Sequence, residues 1–336
     1  MKYRKLLAVL VVLTLIVAIS GCGSAPKPSA PEGDKAPKAW KPEKPVTVIV
    51  QYAAGGGVDV NSRIVAQYAE KYAGQPVVVV NKTGGGGVVG TTEAIKSKPD
   101  GYTLGVAIVN WVIDQYLIKG VTYNEKSFKP VLQMAWEPNV LVAKKGGPFD
   151  KPLKEIIEWA KKNPGKLRIG VGGNWTTHDF TRVGLEKTAG IKMQRVPFAG
   201  GAPAVAAVLA GDIDLAVPYV SEILGQMQGG TITPLAVADG QRFEALKNVP
   251  TFKELGNDIE FGVWRVLAVP ADTPDNVVKG LHDIFKQTLD DPATKEAFKK
   301  AGIAMQYRST EETGKFIAQE HKKFKQLIDE LGLKPE

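Results

Sequence analysis

Two glycine-rich turns carry the most chemically suggestive residues of the chain. In the first, Tyr52-Ala53-Ala54-Gly55-Gly56-Gly57 is followed by Asp59. In the second, Gly172-Gly173-Asn174-Trp175 runs into Thr176, Thr177 and His178. Each turn follows an apolar run and precedes a helical pattern. Consecutive amides at a helix N-terminus can hold an anion through oriented N–H groups and the helix dipole. The first turn lacks the Gly-Lys-Ser/Thr ending of a P-loop, so nucleotide binding is not indicated. As a bare pattern it also reads as a plain turn. The hydroxyls of Thr176 and Thr177 suit either a helix cap or a carboxylate, and His178 suits either packing or ligand contact.

Catalytic sets are scarce. The chain has three histidines, His178, His282 and His321, and no H-E-x-x-H or G-x-S-x-G motif. His282 and His321 fall in charged C-terminal helices and read as solvated. No carboxylate cluster has metal-ligand spacing, and no cofactor is called for. Gly85, Gly87 and Gly90 spell G-x-G-x-x-G, but the next strand ends Ile108-Val109-Asn110 without the acid that a dinucleotide site wants. Those glycines read instead as a tight turn or a close helix–strand approach.

The elements that must position these turns alternate. Val46–Tyr52, Pro76–Val80 and Tyr102–Val109 read as strands, with helical patterns after Asp59 and over Val88–Lys96. The rhythm restarts with a helix over Pro152–Asn163, strands at Arg168–Val171 and Met193–Pro197, and an Ala-rich helix over Gly201–Leu209. Ile213–Val217, Pro234–Val237 and Val263–Val269 read as further strands. Helices follow over Pro274–Leu289, Pro292–Lys300 and Thr310–Leu331. Strand-turn-helix spacing of this kind predicts an α/β class with mainly parallel sheets. The helical tail needs a surface to cover, and the first unit is the natural one. The chain then crosses between lobes twice, which makes a hinge with the cleft between two α/β domains. The boundaries expected are 46–143 plus 268–336 for domain 1 and 144–267 for domain 2.

The first 45 residues read as address and tether. Lys2, Arg4 and Lys5 precede an apolar stretch from Leu6 to Ile19. That stretch is short for a membrane span, which needs ~20 residues, and fits a signal peptide over 1–21. Ile19-Ser20-Gly21-Cys22 is similar to a lipobox, which makes Cys22, the one cysteine of the chain, the expected lipidation site. Residues 22–45 are rich in Pro, Lys, Ala and Ser, a disordered linker composition. The formal net charge is +8 over 336 residues. Five of those charges lie before residue 46, so the body is only mildly basic, and a nucleic-acid partner is not expected.

Several linked motifs resemble the tripartite tricarboxylate transporter receptor family, the Bug family of extracytoplasmic solute receptors. They are Tyr52-Ala-Ala-Gly-Gly-Gly-Val-Asp59, Gln75-Pro-Val-Val-Val-Val-Asn81-Lys-Thr-Gly84, Lys98-Pro-Asp-Gly-Tyr-Thr-Leu104, Asn163-Pro-Gly-Lys-Leu167, Val196-Pro-Phe-Ala-Gly-Gly-Ala-Pro203, Pro250-Thr-Phe-Lys-Glu-Leu-Gly256 and Pro270-Ala-Asp-Thr-Pro274. Together they span roughly residues 44–334. The resemblance implies a two-lobed periplasmic-binding-protein fold, type II-like, that closes on a small carboxylate held by backbone amides, hydroxyls and waters. Carried over by motif, the expected ligand contacts in lobe one are Tyr52, Ala53, Ala54, Gly55, Gly56 and Asp59, with Asn110. In lobe two they are Gly173, Asn174, Trp175, Thr176, Thr177 and His178, then Phe198, Gly200, Gly201, Ala202 and Tyr219. Ala53-Ala54 replaces the family's usual prolines. Trp175 stands where a small residue is usual, and Pro218-Tyr219 where an Asp-Asn pair is common.

The expectation is thus an exported, lipid-anchored solute receptor in the periplasm or on the outer face of the cell membrane, a monomer and not an enzyme. It would deliver a di- or tricarboxylate to the permease subunits of a tripartite transporter. Two other readings are a sensory receptor of the same fold, which presents its ligand to a signalling partner, and an exported hydrolase or transferase with His178 as its base.

Overall fold

The computed structural model describes residues 40–335 except Asn174. The signal peptide, most of the tether and Cys22 therefore lie outside the described residues. Two sheets are present among the described residues. The first has the order β11-β4-β10-β3-β1-β2 and the second β7-β6-β8-β5-β9. In the first sheet β1 (Val46–Val50), β2 (Val77–Asn81) and β3 (Thr103–Ala107) run parallel, linked by α1 (Gly57–Ala73) and α2 (Val88–Ile95). In the second, β6 (Leu167–Gly172), β7 (Met193–Phe198) and β8 (Leu215–Ala216) run parallel. Helices α5 (Thr177–Ala189) and α6 (Gly201–Ala210) make their connections. A parallel pair needs such a helical crossover.

The remaining strands correct the expectation of mainly parallel sheets. β4 (Phe128–Pro138) and β10 (Gly262–Pro270) are antiparallel neighbours, and β10 is also antiparallel to β3. β5 (Val140–Lys144) is antiparallel to β8 and to β9 (Ile232–Val237). β5 comes straight from β4 of the other sheet and β10 returns from β9, so the direction of these two is set by the crossing. β4, β5 and the edge strand β11 (Ala304–Arg308) had no clean signal in the sequence. In β4 the polar residues Lys129, Gln133 and Glu137 break up the apolar run, and Pro130 interrupts it. Nor was α3 (Asn110–Leu117) foreseen.

The two crossings meet at one residue. Asn139 alone separates β4 from β5. Its N–H donates to Phe261 O at 3.0 Å, and its carbonyl accepts from Ala238 N at 2.9 Å. Its side chain Nδ2 donates to Thr177 O and Thr181 Oγ1, both at 2.6 Å. The strands therefore change sheet at Asn139 on the way out and between β9 and β10 on the return. The boundaries expected at 143/144 and 267/268 fall instead at the end of β5 and inside β10.

The tail packs on the first sheet and its helices. α8 (Asp275–Asp290) and α9 (Pro292–Lys300) lie against α1, and α10 (Thr310–Glu330) lies on β4 and α3. α9 and α10 are capped by Asp291 and by a Ser309/Glu312 capping box. Apolar strand residues such as Val48, Leu104, Leu132 and Leu267 are buried in the first sheet. α10 also reaches the second lobe, where Phe324 packs on Phe180 of α5 (5.1 Å between ring centroids) and on Phe261 (5.9 Å).

Candidate ligand-binding site

Each lobe presents a helix N-terminus built in the same way. α1 begins after Gly56 and α5 after Thr176, and neither donates a hydrogen bond to a side chain at its N-cap. The first N–H groups of a helix have no partner within it, so both helices offer amides. An aspartate at the third helical position secures each preceding loop. Asp59 accepts from Gly55 N (2.9 Å), Arg63 Nε (2.9 Å) and Asn81 Nδ2 (2.8 Å). Burial would raise its carboxyl, but these hydrogen bonds outweigh burial and hold it below its ordinary value. Asp179 accepts from Arg182 Nε and Arg195 Nε, both at 2.7 Å, and from Trp175 N at 3.4 Å.

His178 is fixed in one protonation state. Gly172 N donates to its Nδ1 at 3.0 Å. An amide can only donate, so Nδ1 is the bare nitrogen and the proton of the neutral ring sits on Nε2. Burial pushes the ring down to about 3, which keeps it neutral. Nε2 is buried with no protein partner, and so are Thr176 Oγ1 and Tyr52 Oη. The His178 ring packs edge-on against Tyr219 at 4.1 Å, and the Tyr219 hydroxyl bonds Thr177 Oγ1 at 3.0 Å. Tyr52 of the first lobe is close enough to Tyr219 and Asp114 to interact with both electrostatically, and burial raises its phenol well above the ordinary range.

The remaining expected contacts separate into groups. Ala53, Ala54 and Gly55 are exposed, and Gly56 is half-buried. Asn110 is buried and donates from Nδ2 to Asp114 Oδ1 at 3.0 Å. Asp114, which also accepts from Tyr123 at 2.6 Å, is raised by burial to about 6. Gly173 carries a φ of 102° in the second turn, and Asn174 lies outside the described residues. Trp175 turns toward Phe180 (6.4 Å) and Arg195 (5.6 Å), with a φ of 52°, a conformation that non-glycine residues seldom adopt. Phe198 lies beside Gly170 beneath α6. At Gly200, Gly201 and Ala202 the chain supplies a carboxyl group of its own. The Glu222 carboxylate lies against Gly201 and accepts from Tyr219 N at 2.9 Å. Burial lifts this acid to about 7.

Sequence reading missed a buried ion pair between the crossing strands. Arg265 of β10 and Glu137 of β4 are paired, and both side chains are 0% exposed. Glu137 Oε1 also accepts from Ser221 N at 2.8 Å. The Arg265 guanidinium lies 5.8 Å from the centre of the Tyr219 ring. One signal was available. Arg265 is the single charge in Gly262–Pro270, a strand otherwise apolar enough to be buried on both faces. A buried arginine needs an acid partner. Ser221 and Glu222 carried no such signal, because only the tertiary fold brings them to the cleft.

Trp111 packs on Phe128 at 5.2 Å, in the core. Three other expectations are settled by contacts. His282 bonds Asp283 (3.1 Å) and Tyr307 (2.9 Å), and His321 bonds Tyr116 (2.8 Å), so both have partners and are not simply solvated. The glycines of the G-x-G-x-x-G stretch make a turn at positive φ, and Gly90 packs against Lys82 O and Gln51 Cα, where no side chain fits. His178 cannot serve as the base of a hydrolase: its bare nitrogen is taken by Gly172, and its other nitrogen already carries the proton.

Two α/β lobes joined at a double crossing, with uncapped helix N-termini facing buried donors, define a solute-binding protein of the periplasmic type. Residues 61–333 match the family model described as "Tripartite tricarboxylate transporter family receptor". The chain belongs to this family, whose members bind solutes and are not enzymes. It is 31% identical over 325 residues to the "UPF0065 protein in gbd 5'region" of Cupriavidus necator, covering 95% of each chain. The solved periplasmic binding protein BugD is 28% identical, covered in full by 88% of this chain, with a TM-score of 0.80. At 24% identity, the malate-bound MatC of Rhodopseudomonas palustris shares the fold, with a TM-score of 0.78, 85% of this chain and 99% of that one covered. Among the described residues, no helix is long and apolar enough to cross a membrane.

Proposed function

We propose that this receptor captures a small organic carboxylate of the di- or tricarboxylate class between its lobes and hands it to a membrane permease. The observation that carries this reading is a set of buried donors without protein partners: Thr176 Oγ1 and His178 Nε2 at the start of α5, and Tyr52 Oη from the turn that leads to α1. A buried polar group left unsatisfied costs about 1–3 kcal/mol, so three of them argue for an acceptor that arrives from outside. An anion fits best, because the helix amides and dipoles favour negative charge. A neutral Nε2–H binds a carboxylate as a hydrogen-bond donor without adding a charge that water would otherwise have to solvate.

In this reading one carboxylate sits at the start of α5, on Thr176, Thr177 and His178, and the Asp59-braced loop closes over it from the first lobe. Contacts made only when both lobes engage the ligand shift the population toward the closed form. The proposed lobes meet at Asn139 and at the return between β9 and β10. Cys22 is the proposed lipid anchor, residues 23–45 the tether, and the receptor acts as a monomer outside the cytoplasm. Nothing in the cleft acts chemically on the ligand.

Calorimetric titration with malate, succinate, adipate and citrate tests the capture step. Saturable binding of at least one is expected, and silence across the panel would remove the carboxylate reading. Mass spectrometry of the membrane fraction tests the anchor, with a diacylglycerol adduct expected on Cys22 after loss of residues 1–21.

A further inference from the structure

The parallel strands β2, β1 and β3 end side by side in the first sheet, and ligands of open α/β sheets bind beyond such carboxyl ends. Two amide side chains stand there. Gln51 follows β1 and is 2% exposed, and Asn110 opens α3 after β3 and is 4% exposed. Each amide is oriented by what it bonds. Gln51 Nε2 donates to the carbonyl of Val106 at 3.1 Å, and Asn110 Nδ2 donates to Asp114 Oδ1 at 3.0 Å. The other oxygen of Asp114 accepts from the Tyr123 hydroxyl at 2.6 Å. A carbonyl and a carboxylate accept, so in both amides the nitrogen is turned to the protein and the oxygen away from that bond. Both oxygens, Gln51 Oε1 and Asn110 Oδ1, are buried without a protein partner.

The two amides belong to one polar cluster. A Cβ on Gly87 would lie 3.2 Å from Gln51 Cγ and 3.2 Å from Tyr52 Oη. The glycine thus leaves open the point that Gln51 and Tyr52 flank. Tyr52 in turn interacts electrostatically with Asp114, the residue that holds Asn110. This cluster differs in kind from the two helix starts, which offer donors. A carboxylate cannot satisfy an amide oxygen, whereas an O–H or N–H group can.

We propose that Gln51 and Asn110 form an acceptor pair in the first lobe that recognises a hydrogen-bond donor carried by the ligand, so that the receptor selects hydroxy- or amino-substituted dicarboxylates over unsubstituted ones. The inference rests on the carboxylate reading and adds a demand that the helix starts cannot make. The free hydroxyl of Tyr52 joins the two kinds of contact. It donates to a carboxylate oxygen while its neighbours accept from the substituent beside that carboxylate. Asp114 and Tyr123 are positioning residues that act through Asn110. An unsubstituted acid would leave both buried oxygens unpaired, and a site built to bond a substituent discriminates against the analogue that lacks it.

Two sets of acids test this by calorimetry: succinate, malate and aspartate, then glutarate, 2-hydroxyglutarate and glutamate. Within a set the members differ only by hydrogen, hydroxyl or ammonium on one carbon. In at least one set the wild type should bind a substituted acid about 10-fold tighter than its parent. Tighter binding of the hydroxy acid assigns the donor as a hydroxyl, and tighter binding of the amino acid as an ammonium. Gln51→Met keeps the volume and removes the acceptor. Asn110→Ala removes the other acceptor and leaves Asp114 its bond from Tyr123. Each should lower the ratio of substituted to parent affinity by about threefold or more. The ratio is taken within one protein, so a general loss of stability does not imitate the effect. A wild-type ratio under about threefold in both sets means that water satisfies the two oxygens, and overturns the acceptor pair while the carboxylate reading stands. A ratio untouched by both variants overturns it too. No binding of any of the six acids overturns both readings.

Discussion

Asp59 and Asp179 do the same work in different lobes. Each sits at the third position of its helix and accepts from the backbone N–H four residues earlier, Gly55 for one and Trp175 for the other. Each is also paired with an arginine one turn on, Arg63 or Arg182. The loop that leads into the helix is thus held at its tip, and the amides of the first turn are left free. Were these aspartates ordinary caps, they would consume the groups they leave open.

Their substitution should therefore affect binding through loop order. Asp59→Ala should weaken carboxylate binding measured by calorimetry, at a cost in stability of about 1–3 kcal/mol. Asp179→Asn should cost more, about 3 kcal/mol, because it leaves Arg182 and Arg195 without their shared buried anion. Unchanged affinity in Asp59→Ala would reduce that residue to a helix-terminal charge.

The protonation of His178 gives a pH signature. Its ring is held near 3 when folded, against about 6.5 in an unfolded chain. Below pH 6.5 the unfolded state binds the extra proton, so stability falls as pH falls, by about 1.4 kcal/mol per unit until pH nears 3. Glu222 and Asp114, raised to about 7 and about 6, act in the opposite sense because they are protonated in the folded state. Chemical denaturation of wild type and His178→Gln across pH 4–7 separates the contributions. The wild type should lose ground relative to the variant on acidification, and parallel curves would contradict a ring held neutral by burial.

Gly90 and Gly86 provide a controlled pair. Alanine at 90 meets Lys82 O and Gln51 Cα, both backbone, whereas alanine at 86 meets open space at a φ of 68°. Gly90→Ala should cost at least about 1–3 kcal/mol through overpacking. Gly86→Ala should cost only the strain of a left-handed conformation, about 1–2 kcal/mol. Thermal melts of the two variants should rank in that order.

Phe324 ties α10 to the second lobe through Phe180 and Phe261. Phe324→Ala should lower stability by about 3–5 kcal/mol, the usual cost of emptying a buried aromatic site. A loss below 1 kcal/mol in denaturant titration would mean that the tail packs on the first lobe alone.

The parallel half of each sheet was legible in the sequence, because apolar runs, glycine turns and amphipathic helices alternate there at regular spacing. Both turns that carry Asp59 and His178 could be found in the same way. What escaped was the antiparallel half. β4 and β10 are buried on both faces, so alternation gives no signal, and the charges inside them pair only across the sheet. Glu137 and Arg265 are far apart in the chain and make sense together alone. The same reason hid Ser221 and Glu222, whose roles depend on which helix start lies opposite them.

The strand order has a consequence for assembly. β4 lies between β10 and β11 and pairs with neither β1 nor β3. A chain that emerges N-terminus first holds β4 without a neighbour until residue 262 and beyond has appeared, while residues 140–237 already contain every strand of the second sheet. The later-numbered lobe can thus mature first and serve as a completed body on which the earlier one closes. Until then β3 and β4 expose unpaired edges, which invite association with other chains. For a protein of this connectivity, the vulnerable interval of biogenesis is the wait for its own C-terminal quarter.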